Sequence, residues 1–140
     1  MLQLDYALLC DYVRGEGGVA HVIAAGIDTI YRPEVPTVAN FGLLARFTFT
    51  EEDLGQEHQL ELQLTDLEGQ QVARITGTPP LQPVLGLPEG WPYGGIIALN
   101  FGVPFPHHGS YRLAILLDGD PVKTINLRVI PPATESGQAE

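Results

Sequence analysis

An all-β domain of two packed antiparallel sheets is the fold this sequence predicts, on three observations. Leu60, Leu62 and Leu64 alternate with Glu61, Gln63 and Thr65 before the turn Asp66-Leu67-Glu68-Gly69, which is the period of a half-buried strand. Alternating runs of this kind recur along most of the chain, punctuated by glycine, proline and aspartate. No amphipathic helical stretch separates them. Seven or eight such strands predict a β-sandwich, with a closed barrel the lesser option, and immunoglobulin-like, C2-like and jelly-roll topologies all fit the pattern.

In chain order, Leu4 to Val13 is the first strand, and its better core face is Leu4, Tyr6, Leu8, Cys10 and Tyr12. Arg14-Gly15-Glu16-Gly17-Gly18 turns the chain into the β-branched run Val19 to Ile23, which pairs back. Gly26 marks a bulge or a change of direction before Ile27 to Tyr31. Pro33 and Pro36 stop pairing there, because proline has no N–H to donate. Phe41, Leu43, Ala45, Phe47 and Phe49 are the core positions of the next strand. Glu51 to Gln56 is acidic like a helix start, but too short before Gly55 for more than one turn. Leu60 to Leu64 then leads through its turn into a shorter strand, Gln70 to Thr76.

Residues 79–95 hold five prolines and four glycines, which excludes regular structure. Loops of this length inside domains are usually functional or disordered. Its apolar residues, Trp91 and Tyr93 among them, predict an ordered flap packed on the sandwich. Ile97, Leu99, Phe101 and Val103 resume the alternation, and a hairpin closes the fold. In that hairpin Tyr111, Leu113, Ile115 and Leu117 face inward from one strand, and Ile125, Leu127 and Val129 from the other. Matching the faces requires either an Asp118-Gly119 turn with a bulge near Lys123 or a three-residue Asp118-Gly119-Asp120 loop. Either route sets Leu113 opposite Ile125 and Tyr111 opposite Leu127. The expected organisation is one domain, 1–131, followed by a polar tail, 132–140.

At 140 residues with 44% hydrophobic residues, the chain buries an adequate core without disulfides or structural metals. The single cysteine, Cys10, fits a reducing compartment. Met1 to Asp5 lacks the basic start of a secretory signal, and no window reaches the length of a spanning helix. A cytoplasmic protein is expected, with no membrane partner. A net charge of −10, with the seven basic residues scattered, also argues against nucleic acid, whose binding depends on neutralising phosphates.

The chemistry-bearing candidates are few. Adjacent imidazoles at His107 and His108 could reach one metal or proton, but no His-x-His, Cys-x-x-Cys or His-Glu-x-x-His accompanies them. Asp66, Glu68, Asp118 and Asp120 sit at turns, where calcium-binding sandwiches collect carboxylates and where aspartate is also selected for backbone reasons. Asp5 and Asp11 are too far apart along one strand to share an ion. Neither Ser110 nor Ser136 lies in a nucleophile elbow, and Cys10 reads as a small buried hydrophobe. No catalytic residue, metal ligand or cofactor is assigned.

Asp5 to Val13, Gly26 to Tyr31, and Gly109 to Arg112 with Leu117-Asp118-Gly119 resemble a family of short uncharacterised bacterial proteins that carry a single domain of unknown function. The resemblance implies a bacterial, single-domain, cytosolic β-sandwich, and it transfers no functional residue. From the residues, the leading expectation is a non-enzymatic binding or scaffolding module acting through protein contact or as a homo-oligomer, with Trp91, Tyr93, His107 and His108 as candidate binding residues. The alternatives are a metal-dependent enzyme or metal-binding protein using the loop histidines and carboxylates, and a carbohydrate-binding sandwich using Trp91 and Tyr93.

Overall fold

Strands account for nearly all regular structure in the computed structural model, which describes residues 1–133. They are β1 (Gln3–Cys10), β2 (Tyr12–Glu16), β3 (Val19–Ile23), β4 (Thr29–Tyr31), β5 (Thr37–Phe49), β6 (Leu60–Asp66), β7 (Gln71–Gly77), β8 (Tyr93–Phe105), β9 (Gly109–Leu117) and β10 (Asp120–Ile130). One helical turn, α1 (Glu51–Leu54), follows β5. The expected tail, 132–140, lies outside the described residues from 134 onward.

A three-stranded sheet, β1-β5-β8, packs on a five-stranded sheet, β4-β10-β9-β6-β7, and β2-β3 forms a separate hairpin. The sheets do not close into a barrel. All pairings are antiparallel except β4 with β10. This order selects the immunoglobulin-like topology from the three the pattern allowed. In that lettering β1, β5 and β8 stand as A, B and E, while β6, β7, β9 and β10 stand as C, C′, F and G. Among the described residues no strand takes the place of D beside β8.

The described residues form ten strands rather than seven or eight, and one of the additional strands comes from the N-terminal region. Leu4 to Val13 is not a single strand: the chain breaks at Asp11, and β2 leaves the first sheet to fold back over its outer face. The expected core face of this region is corrected as well. A register shift between Leu4 and Tyr6 reverses side-chain parity, so Leu9 enters the main core while Tyr6 and Tyr12 stay exposed. Leu8 and Cys10 point outward and are covered by Val13, Ala20 and Val22 of the hairpin, forming a second small core with Leu44. Asn100 pins the hairpin in place. Its Nδ2 donates to the Val13 carbonyl at 2.7 Å, and its Oδ1 accepts from the Val13 N–H at 3.0 Å.

Elsewhere the alternation is realised as read. Phe41, Leu43, Ala45 and Phe47 of β5 and Leu60, Leu62 and Leu64 of β6 are buried in the main core, and Phe49, at the end of β5, is buried beside Tyr93. The β9-β10 hairpin sets Leu113 opposite Ile125 and Tyr111 opposite Leu127. Of the two routes, the chain takes the two-residue turn. Asp118 (φ 52°) and Gly119 (φ 86°) both adopt the left-handed backbone of a type I′ turn, and a bulge at Val122 sets Lys123 opposite Ile115.

Where β8 passes to β9, the buried Tyr111 donates its hydroxyl to the carbonyl of His107 at 2.6 Å. This is the tyrosine-corner arrangement of immunoglobulin-type sandwiches, in which a tyrosine at the start of strand F ties down the preceding crossover. Tyr111→Phe is expected to lower unfolding free energy by about 1–2 kcal/mol while keeping the fold, because it leaves that carbonyl without its donor. Urea denaturation with an unchanged m-value is the measurement.

Candidate functional site

The four candidate binding residues fall at opposite ends of β8. Trp91 and Tyr93 lie at its start and His107 and His108 just past its end, roughly 40 Å apart at about 3.3 Å per residue. They do not form one site.

At the His107 end the two imidazoles diverge. His108 Nε2 donates to the Arg32 carbonyl at 2.9 Å, tying the corner to the end of β4. His107 stacks on Tyr111 with centroids 5.2 Å apart, and its Nε2 lies 3.3 Å from Asp66 Oδ2. The His108 carbonyl and then the Asp66 carboxylate push the His107 pKa up. Asp66, 3% exposed, accepts the backbone N–H groups of Glu68 and Gln70 at 2.9 Å each. It serves as the acceptor that shapes its own turn. Among the described residues no group of three His, Cys, Asp or Glu side chains is arranged to hold a metal ion.

A second imidazole cluster lies around His58 at the opposite end of β6 and β9, where the sequence had offered no candidate histidine. His58 is buried, with Nδ1 at 2.8 Å from Asp118 Oδ2 and Nε2 at 3.1 Å from the Asp53 carbonyl. Both ring nitrogens face acceptors, so the geometry favours the doubly protonated imidazolium. The Asp118 hydrogen bond raises the His58 pKa against the opposing effect of burial. The same bond, followed by that from the Gln59 N–H, lowers the Asp118 pKa. Burial pushes the Asp53 carboxyl up, but its bonds from Thr50 and the N-terminal ammonium outweigh that and bring it down. The legible signal was Thr50-Glu51-Glu52-Asp53, a capping-box spacing that marks Asp53 as an acceptor for the helix start.

This cluster ties stability to pH. The raised pKa of His58 gives a contribution fully present below about pH 6.5, the ordinary histidine value, and lost as pH rises through the folded value. The lowered pKa values of Asp53 and Asp118 give contributions present above about pH 4 and lost as pH falls through their folded values. Stability is therefore expected to peak between about pH 4 and 6.5, with the urea midpoint declining on the alkaline side. His58→Gln should flatten that decline, and an unchanged slope would show that His58 is not its source.

At the Tyr93 end, a cleft of about 400 Å3 is lined by Trp91 and Tyr93 with Glu51, Glu52 and Glu89. Tyr93 packs its ring on Phe49 at 5.6 Å and donates its hydroxyl to Glu51 at 3.3 Å, whereas Trp91 is 61% exposed. The expectation that the flap packs by its apolar residues is corrected here: Val84, Leu85, Leu87 and Trp91 are all exposed. Its prolines deny the segment the donors of a strand, so nothing draws it flat onto the sheet.

The cleft is the last of three adjoining hollows that follow β8. A groove of about 290 Å3 lies between β7 and β8, floored by Leu60, Leu62 and Ile75 with Pro80 above. Residues of both parities of β8, Ile96 and Ala98 as well as Ile97 and Leu99, line it. Alternate residues point to opposite faces, so a hollow that touches both runs along the edge of the strand. The second hollow, about 410 Å3, shares Pro80 and Ile96 with the first and continues past Gly95 and Gly94 between the hairpin tip and the flap.

The protein-family model of DUF6941, a family of unknown function, matches residues 5–130. The chain belongs to this family. The match runs from Asp5 in β1 to Ile130, the last residue of β10, so the DUF6941 domain takes in both sheets, the hairpin and all three hollows. No curated protein matches the chain. Among the described residues no helix is long and apolar enough to cross a membrane.

Proposed function

We propose that this DUF6941 protein is a non-enzymatic binding module of the bacterial cytoplasm that acts by contact with another protein. The free edge of β8 carries the reading. Sheet edges in folded proteins are ordinarily guarded by charge, bulges or brevity, because an unpaired row of N–H and C=O groups recruits other strands. Edge strand β1 has Asp5 and a register shift, β7 has Arg74, and β4 is three residues long. By contrast β8 runs for 13 residues without one charged side chain and without a register shift against β5. Its single proline, Pro104, guards only the far end. A single buried cysteine, Cys10, is consistent with a reducing address.

The test is isolation of the tagged chain from its own cells after cross-linking, followed by reconstitution with the purified partner and mass measurement by light scattering. A stoichiometric hetero-complex is the expected result. A chain that stays alone on reconstitution, or that carries stoichiometric zinc, iron or calcium by elemental analysis, would overturn the reading in favour of a metal-dependent one.

A further inference from the structure

We propose that the edge of β8 between Tyr93 and Leu99 is a strand-addition site, taking an extended segment of another polypeptide that is apolar at alternate positions and basic at one end. The inference rests on the binding-module reading and names what that module binds.

Three observations converge on this occupant. First, beside β8 the fold holds no strand in the place of D among the described residues, and no backbone hydrogen bond joins residues 78–92 to β8. Pro79, Pro80, Pro83, Pro88 and Pro92 keep this segment from supplying the missing ladder. An extended backbone is the one form of polypeptide that pairs with the whole row of donors and acceptors β8 leaves to water.

Second, the three hollows follow the edge from Leu99 to Tyr93, with the 78–92 segment as their outer wall. Seven residues span roughly 20–23 Å, the length of an ordinary strand. In the first hollow a guest strand would set alternate side chains against Leu60, Leu62 and Ile75, a surface that is mostly apolar. At about 290 Å3 that hollow alone is at the lower limit for a small-molecule pocket, and its open, edge-following shape suits a chain passing through.

Third, charge selects the partner. The Tyr93 end is lined by Glu51, Glu52 and Glu89 with Trp91 exposed beside them, a setting that favours a lysine or arginine side chain through Coulomb attraction and the face of the indole. A second copy of this chain is the poorer occupant, since each copy carries a net charge of −10. An antiparallel guest places its C-terminal end at Tyr93, so its basic residues belong there.

The experiment uses the full chain and a labelled synthetic peptide of alternating threonine and valine ending in two lysines at its C-terminus, against the same peptide ending in two glutamates. Fluorescence anisotropy should show the lysine-ended peptide binding at least about tenfold more tightly, with a preference that shrinks as salt rises. Amide hydrogen exchange should slow within Gly94 to Leu99 on binding. Ile75→Lys should abolish binding, and the doubly exposed variant Glu52→Lys/Glu89→Lys, which leaves the core untouched, should erase the preference between the two peptides. No binding by either peptide, equal binding of both, or protection confined to the outer face of the β2-β3 hairpin would overturn the proposal. So would a concentration-dependent dimer that protects the same amides without peptide. None of these outcomes bears on a hetero-complex formed through another face, which the reconstitution experiment reads separately.

Discussion

Leu62→Asp is expected to leave the chain unfolded at neutral pH. Leu62 is 2% exposed and lies between Ile75 of β7 and Ile115 of β9 in the central rows of the five-stranded sheet. Removing it forfeits about 1.5–3 kcal/mol of burial. The larger effect is the carboxylate, which would stand in the main core among aliphatic side chains, and an unpaired buried charge adds several kcal/mol more. A total beyond about 5 kcal/mol meets a domain whose whole stability is about 5–15 kcal/mol. Loss of dispersion in the amide NMR spectrum is the readout. The companion Leu62→Ala, which creates a cavity without a charge, should cost about 2–5 kcal/mol. If Leu62→Asp unfolds cooperatively near the wild-type midpoint, the packing of β6 between the sheets is not as described.

Gly42→Ala is expected to release the β2-β3 hairpin while the sandwich stays folded. Gly42 lies on the outer face of β5, and a Cβ there would stand 2.8 Å from Asn100 Oδ1 and 3.0 Å from both Cys10 Sγ and Val13 Cγ1. None of these is a loose side-chain end: the Asn100 amide holds both polar groups of Val13, and Val13 and Cys10 are buried. Relieving the overlap displaces Asn100 and leaves Val13 without its partners, for about 2–4 kcal/mol in all. That corresponds to roughly 30- to 900-fold more open hairpin. Cys10 reports the opening. It is fully buried, and burial, then the neighbouring Asp11, holds its thiol pKa up, so in the folded protein it should react slowly with a disulfide reagent. Faster labelling of Gly42→Ala with the far-UV spectrum unchanged is the expected outcome. Labelling at the wild-type rate would show that the hairpin is not held at this contact.

Much of the fold was legible, and the reason is local. In β6 apolar and polar side chains alternate without interruption, and in β5 and β9 every position on the core face from Phe41 and Tyr111 onward is apolar, so a two-residue period has one stable placement against a core. The β9-β10 register followed from the same constraint, since Leu113 and Ile125 had to share a face. Leu4 to Val13 misled because it is apolar at both parities. Such a run fits a strand covered on both faces, as β1 is near Leu8 and Cys10, but the pattern does not reveal which residues meet which core. The bulge that reversed parity between Leu4 and Tyr6 leaves no mark in composition. His58 went unrecognised for a similar reason: its partners lie 5 and 60 residues away, and Asp118 also suits the turn it occupies.

By itself, the sequence determined the all-β class, the core faces of the long strands, the single helical turn and the proline-rich interruption, because each depends on residue period or backbone chemistry within a few positions. Tertiary structure alone decided the immunoglobulin-like strand order, the hairpin laid over Gly42, the divergence of His107 from His108 and the unpaired edge of β8. Those features arise from which segments meet across the sandwich, and side-chain periodicity records the face a residue presents without recording the strand that will face it.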